Sequence, residues 1–222
     1  QLGTVSFVGS SRAAADDVEG LGDVASVGAG DYHSCAVMAT GSIAGTVECW
    51  GRNDDGQLGD GTTTESAVPV YVSLLSDAVA VTGGTAHTCA LTGITGPADP
   101  VVTTGSTSVG EVWCWGDNSY GQLGDGTNTS SSTPVKVRGV SGAYQVTAGS
   151  YFTCALTLKD GAKCWGQNHS AQLGDGTHND SNLPVIVLGS MPRISTLGPP
   201  TILGGDAIAY HQTKRWWIDL SK

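Results

Sequence analysis

Apolar residues fall in short runs separated by turns rich in Gly, Asp, Ser and Thr. The clearest example is Cys154 to Leu158 and Ala162 to Trp165, two strand-like runs around Lys159-Asp160-Gly161. Asp-Gly between such runs is a strong hairpin signal. A further run is opened by proline in Pro69-Val70-Tyr71-Val72, Pro134-Val135-Lys136-Val137 and Pro184-Val185-Ile186-Val187. Proline tolerates the first residue of a strand or a sheet edge, so these read as strands beginning at Pro. The longest apolar stretches, such as Ala78 to Val81, are far too short to cross a bilayer as a helix.

The pattern repeats. Cys49-Trp50-Gly51 recurs as Cys114-Trp115-Gly116 and Cys164-Trp165-Gly166. A turn block follows each copy: Gly56-Gln57-Leu58-Gly59-Asp60-Gly61-Thr62, Gly121 to Thr127, and Ala171 to Thr177. A second block lies upstream, at Gly30 to Val37, Gly84 to Leu91 and Gly149 to Leu156. From the Cys-Trp-Gly cysteine to the next upstream cysteine the distance is 40 residues both times. Between paired cysteines it is 14, 25 and 10 residues, so length variation sits in one surface loop per unit. Each repeat is a β unit that cannot bury its own faces, so the units stack as a propeller or a solenoid.

The repeat frame divides the chain into a partial repeat (1–27), three repeats (28–80, 81–145, 146–190) and a degenerate terminal repeat or tail (191–222). Gln1-Leu2-Gly3 matches the middle of the turn block, and Val18 to Gly30 matches Val137 to Gly149. Thr201 to Leu203 and Ala207 to Tyr210 would form a shortened, cysteine-free hairpin around Gly204-Gly205-Asp206. A start at Gln1, with no visible signal peptide, reads as a mature product or a fragment.

Gly-x-x-His-Thr-Cys-Ala-Leu and Cys-Trp-Gly-x-Asn-x-x-Gly-Gln-Leu-Gly-Asp-Gly-Thr resemble RCC1 (regulator of chromosome condensation) repeats, most closely at 84–91 and 114–127. The resemblance covers roughly residues 18 to 189. It implies an all-β propeller with blades of four antiparallel strands. The cysteine-bearing version resembles exported bacterial members of the family. Such relatives include an enzyme inhibitor that caps its target through one propeller face.

Composition narrows the function. The chain has 222 residues, 33 of them Gly, and 39% are apolar, which excludes a disordered chain. Its formal net charge is −10, with no basic cluster to hold a nucleic-acid backbone. Six cysteines allow fifteen pairings. A hairpin keeps its strand ends adjacent whatever its loop length, which favours Cys35–Cys49, Cys89–Cys114 and Cys154–Cys164; six buried thiols is the alternative. Disulfides would imply a secreted, periplasmic or cell-surface location.

Candidate chemistry is sparse. No Cys-x-x-Cys pair supports zinc. Asn53-Asp54-Asp55-Gly56 is faintly similar to a calcium loop, yet the closing bidentate carboxylate is missing. Asp60, Asp125 and Asp175 read as turn-bonding residues, and Trp50, Trp115 and Trp165 as packing between units. No nucleophile elbow, phosphate loop or zinc-protease motif occurs, and no symmetry-breaking cluster marks an active site. The chain reads as non-enzymatic and without cofactor or metal. Asn128, Asn168 and Asn179 each begin an N-glycosylation sequon.

The expected function is a structural or protein-binding module, with a protein partner or neighbouring subunits and no nucleic acid or membrane insertion. Tyr32, His33, His87, Tyr151, Trp216 and Trp217 are the candidate contact residues, although the recurrence of the two histidines at one repeat position makes them turn or packing residues first. The insertion from Thr92 to Gly110 suits partner contact and equally a tolerated insertion, and the tryptophans of the tail Lys214 to Ile218 either anchor a partner or, as the favoured reading, pack a terminal strand. The alternatives are an enzyme inhibitor, a glycan-binding propeller, and an accessory domain of a larger exported enzyme.

Overall fold

A computed structural model describes residues 17–40, 43–93 and 110–190. The β-rich composition and tight turns produce three sheets of four strands, each antiparallel and in chain order. The first blade contains β1 (Val24–Ala29), β2 (His33–Met38), β3 (Val47–Gly51) and β4 (Ser66–Tyr71). The second contains β5 (Ala78–Gly83), β6 (His87–Thr92), β7 (Glu111–Gly116) and β8 (Ser131–Lys136). The third contains β9 (Ala143–Ala148), β10 (Phe152–Thr157), β11 (Gly161–Gly166) and β12 (Ser181–Ile186). The repeat frame cuts through β1, β5 and β9, because repetition in sequence sets a period and leaves its phase open. Residues 191–222 and 94–109 lie outside the described residues, as does Gln1-Leu2-Gly3.

Pro69, Pro134 and Pro184 sit inside β4, β8 and β12, not at their first residues. These strands form the outer edge of each blade, and the ladder is already irregular between Cys49 and Gly51 and at its two copies. A residue without an N–H is tolerated there.

The core lies between blades. One cluster joins Cys35, Val37, Cys49 and Leu58 of the first blade to Val81, Ala90 and Trp115 of the second. The next joins Cys89, Leu91, Cys114 and Leu123 to Ala155 and Trp165 of the third. Trp115 and Trp165 are both 0% exposed. Each indole Nε1 donates across the seam, 2.9 Å to the backbone oxygen of Gln57 and of Gln122 respectively. Gly59 has to be glycine: its φ is +72°, and a Cβ would lie 2.6 Å from the Trp115 Nε1.

Each turn block is organised by one buried asparagine. Asn53 Oδ1 accepts from the Leu58 N–H at 2.9 Å, while its amide donates to the backbone oxygens of Thr62 and Thr64. Asn118 does the same with Leu123, Thr127 and Thr129. Asn168 repeats the bonds to Leu173 and Thr177 and is 0% exposed, so the sequon it begins is closed to modification in the folded chain. Asp60, Asp125 and Asp175 each accept from the backbone N–H two residues on, at 2.9 Å. Turn bonding is thus their role in the fold.

The cysteines face each other directly across the β2–β3, β6–β7 and β10–β11 hairpins. The pairs are Cys35–Cys49, Cys89–Cys114 and Cys154–Cys164, with no free cysteine among the described residues. No described helix is long and apolar enough to cross a membrane.

Candidate partner-binding rim

At one end of the blades, the first turn of each sheet meets the start of the turn block that follows its third strand. Tyr32 occupies the β1–β2 turn, Ala86 the β5–β6 turn and Tyr151 the β9–β10 turn. Tyr32 is 48% exposed. The Arg52 guanidinium lies 5.6 Å from its ring centroid and bonds to Asp54 at 2.7 Å.

The two seams differ at this rim. At the second, Tyr120 comes from just before the turn block of one blade, and Tyr151 and His169 come from the next blade. The Tyr120 ring lies 5.4 Å from Tyr151, tilted, and 5.8 Å from His169, edge-on. The His169 side chain is 63% exposed. At the first seam the position of Tyr120 is taken by Asp55 and that of Tyr151 by Ala86. Burial pushes the Asp55 carboxyl up from its ordinary pKa, and the charge of Asp117 pushes it further, with Arg52 opposing. Asp31 accepts from Thr85 Oγ1 at 2.8 Å across the same seam.

The charge of the rim is predominantly negative. It carries Asp31, Asp54, Asp55 and Asp117, and the only described cation beside them, Arg52, is held by Asp54. The other described Lys and Arg residues lie elsewhere. Lys136 pairs with Glu111 at the start of β7, Lys163 with Asp160 at the β10–β11 hairpin, Lys159 belongs to that hairpin, and Arg138 follows β8.

His33 and His87 do not belong to this surface. They open β2 and β6 but are 1% and 0% exposed, with their Nε2 atoms bonded across the seam to Thr88 and Thr153 at 2.8 and 2.9 Å. Their imidazoles pack against Gly30 and Gly84, where nothing larger than glycine fits. Burial lowers both pKa values to about 4, so they are neutral near pH 7. Tyr32 and Tyr151 remain at the surface, and Trp216 and Trp217 lie outside the described residues. Sequence reasoning missed Tyr120 and His169. The signal was present in the departure of Tyr120 from Asp55 and Ser170 at one repeat position, but only the fold brings it to Tyr151.

Among the described residues no group of three or more His, Cys, Asp or Glu side chains is placed to hold a metal ion.

Models of the regulator of chromosome condensation (RCC1) repeat match residues 44–91 and 109–156, and a second model of the same repeat matches 24–57 and 144–172. The chain is 33% identical over 144 residues to the human E3 ubiquitin-protein ligase HERC2, covering 62% of this chain and 3% of HERC2. Human WBSCR16 superposes with a TM-score of 0.58 at 26% identity, over 74% of this chain and 40% of that one. Prp20p from Saccharomyces cerevisiae superposes with a TM-score of 0.59 at 19% identity, over 76% and 39%. The chain therefore spans a small part of HERC2 and about two-fifths of the two solved propellers. Repeat models, relatives and blade architecture agree, and the chain belongs to the RCC1-repeat family.

Proposed function

We propose that this chain is a non-catalytic protein-binding module that engages its partner through the rim bearing Tyr32, Tyr120, Tyr151 and His169, in a secreted or cell-surface setting. The observation that carries this reading is the Tyr120–Tyr151–His169 cluster. The buried framework is repeated almost residue for residue, whereas among the described residues this cluster is made once. Framework repetition stabilises the fold; a half-buried pair of tyrosines beside the exposed His169 on a rigid scaffold is the kind of anchor that dominates a protein interface. Prp20p, of the same fold, binds Gsp1p and histones. HERC2 is a ligase, but this chain aligns with only 3% of it, and its activity is not carried over.

Three disulfides support an oxidising compartment and with it an exported protein, while the bacterial-type reading rests on the resemblance of the cysteine-bearing repeat alone. An enzyme inhibitor is one form of the same reading, since it needs only a face that caps its target. The glycan-binding alternative rests on the exposed ring of Tyr32.

Affinity capture with the full chain tests this. Wild type, Tyr120→Ala/Tyr151→Ala and the distant Lys159→Ala are compared by quantitative mass spectrometry on the secreted proteins of the source organism. Proteins lost with the tyrosine variant and kept with Lys159→Ala support the rim. Capture indifferent to both tyrosines overturns it, and rim-dependent binding on a glycan array moves the assignment to a lectin.

A further inference from the structure

The cysteine spacing continues past the third blade. Forty residues separate Cys49 from Cys89 and Cys114 from Cys154, and the same distance from Cys164 reaches Gly204. In this register Arg193 takes the place of Ala78 and Ala143, which open β5 and β9, and Leu203 takes that of Thr88 and Thr153. The connection from the third blade has the same length. Leu75 and Val140 lie three residues before β5 and β9, and Ser190, their counterpart, lies three residues before Arg193.

Residues that meet across the first two seams are replaced together at the third. A histidine bonds to a threonine at both seams, His33 to Thr88 and His87 to Thr153. The next pair in the series is Phe152 and Leu203, in which both polar partners have become apolar. Gly45 and Gly110 press on the start of the next blade, where a Cβ would lie 2.8 Å from the Asp77 Cα and 1.8 Å from the Ala143 oxygen. Their counterpart is Asp160, whose side chain forbids so close an approach, and the register sets Arg193 against it in place of alanine. An ion pair spans the wider gap.

The third blade presents a matching surface. Phe152, Cys154 and Leu156 are half-buried, whereas their counterparts His33, Cys35 and Val37, and His87, Cys89 and Leu91, are buried by the following blade. Ala171 limits what fits there. Its counterparts Gly56 and Gly121 pack on the outer strand of the next blade, where a Cβ would lie 2.6 Å from the Ser132 Cα and 2.4 Å from the Asn182 Cα. Ala171 carries that Cβ, so an outer strand is excluded at the same distance and only the inner part of a blade is admitted. A second copy of the chain suits the face less well. Its first blade would set Ser34 against Phe152 and Val24 against Asp160, a hydroxyl on an apolar ring and an apolar side chain on a carboxylate.

We infer that residues 193–203 of this chain cover the third blade as the inner strand of a shortened fourth unit and the turn into its second strand, with Leu203 packed on Phe152 and Arg193 paired with Asp160.

Amide hydrogen exchange of the full chain, read by mass spectrometry, tests this, with a synthetic peptide of residues 191–205 as the unprotected reference. The amides of residues 194–203 are expected to exchange at least about tenfold more slowly in the chain than in the peptide, and Leu203→Asp to return them to the peptide's rate. Phe152→His and Leu203→Thr are each expected to speed exchange. The double variant installs the pair found at the other seams and is expected to recover most of the wild-type protection, because the two sites are coupled. Unchanged protection of β6 shows that the blades stay folded in each variant, and where Phe152→His fails that check, the wild-type chain and Leu203→Asp still decide. Exchange of the wild-type segment at the peptide's rate overturns the proposal, as does protection that survives Leu203→Asp. A folded double variant whose effect is the product of the two single effects overturns it too. A wild-type chain that sediments as a dimer, is made monomeric by Leu156→Asp and exchanges residues 194–203 at the peptide's rate assigns the face to a second copy instead.

Discussion

His33 Nε2 lies 2.8 Å from Thr88 Oγ1 across the seam between the first two blades. The threonine hydroxyl donates its own hydrogen to the backbone oxygen of Gln57, also at 2.8 Å. It can therefore only accept from the imidazole, which places the ring proton on Nε2. His33 Nδ1 is left as a buried acceptor without a partner. His87, Thr153 and Gln122 repeat the arrangement at the second seam, again with Nδ1 unpartnered. In the third blade the position of the histidine is taken by Phe152, which cannot donate.

Thr88 is thus a two-way link, and Thr88→Val keeps its shape while removing both bonds. The variant is expected to lose about 1–3 kcal/mol, since the imidazole N–H stays buried without an acceptor. Thr88→Ser retains both bonds and should stay closer to wild type. Denaturant titration of the two variants measures the difference; a Val variant as stable as wild type would remove the link from the account.

The buried histidines make the fold acid-sensitive in a defined window. An unfolded histidine titrates near 6.5, whereas folded His33 and His87 titrate at about 4 because burial disfavours the imidazolium. The unfolded chain binds more protons between these values, so stability is complete above about pH 6.5 and falls as pH drops toward 4. Each histidine contributes on the order of 3 kcal/mol to that loss. Unfolding midpoints from pH 7 to pH 4 test this. His87→Gln is expected to flatten the profile, and a slope unchanged by that substitution would point to other groups.

The turn blocks contain an internal comparison of glycine with alanine. Gly121 has φ +81°, and a Cβ there would lie 2.4 Å from the Asn182 Cα of the next blade. Ala171 is its counterpart in the third blade, exposed and at φ +59°. Gly121→Ala combines left-handed strain with a backbone clash and should cost about 2 kcal/mol or more. Ala171→Gly relieves strain without a clash and should stay within about 1 kcal/mol of wild type, on the stabilising side. Thermal melts of the pair decide it: similar losses in both would mean the blade contact contributes nothing.

The disulfides close loops of different length on the same rung. Their sequence separations are 10 for Cys154–Cys164 and 25 for Cys89–Cys114. A double alanine replacement at either pair is expected to cost about 2–4 kcal/mol. In the chain-entropy view the longer loop contributes about 1 kcal/mol more. Chemical denaturation of the two double variants would show the order, and a reversed order would mean that native packing outweighs loop closure.

Much of the framework was legible because it rests on local chemistry repeated three times. The Asp-Gly hairpin at Lys159 to Gly161, the cysteine pairs at the bases of hairpins and the Asp60, Asp125 and Asp175 turns all involve neighbours along the chain or across one hairpin. The packing of Trp115 and Trp165 between units was also legible, since a large apolar residue that recurs in every repeat has to meet the adjacent repeat. Pro69 was placed at the start of a strand because proline favours that position, but tolerance at an outer edge lets it sit inside β4.

The rim was not legible in the same way. A histidine two residues before a cysteine, recurring at one repeat position, reads first as a turn or packing residue and only distantly as a ligand, with nothing in the sequence to name its partner. Only the approach of Thr88, 55 residues away, decides for the core. Tyr120 and Tyr151 belong to different blades and have no signal in common along the chain.

The sequence alone determined the repeat, the β class and the glycine turns and favoured the hairpin pairing of the cysteines, because each depends on residues close together or on periodicity. The tertiary structure decided which side chains the seams bury and which they expose. Burial is set by the neighbouring blade, and the same repeat position is a half-buried acid at Asp55 but packs ring against ring across the seam at Tyr120. That contrast arises only when one blade is laid against the next.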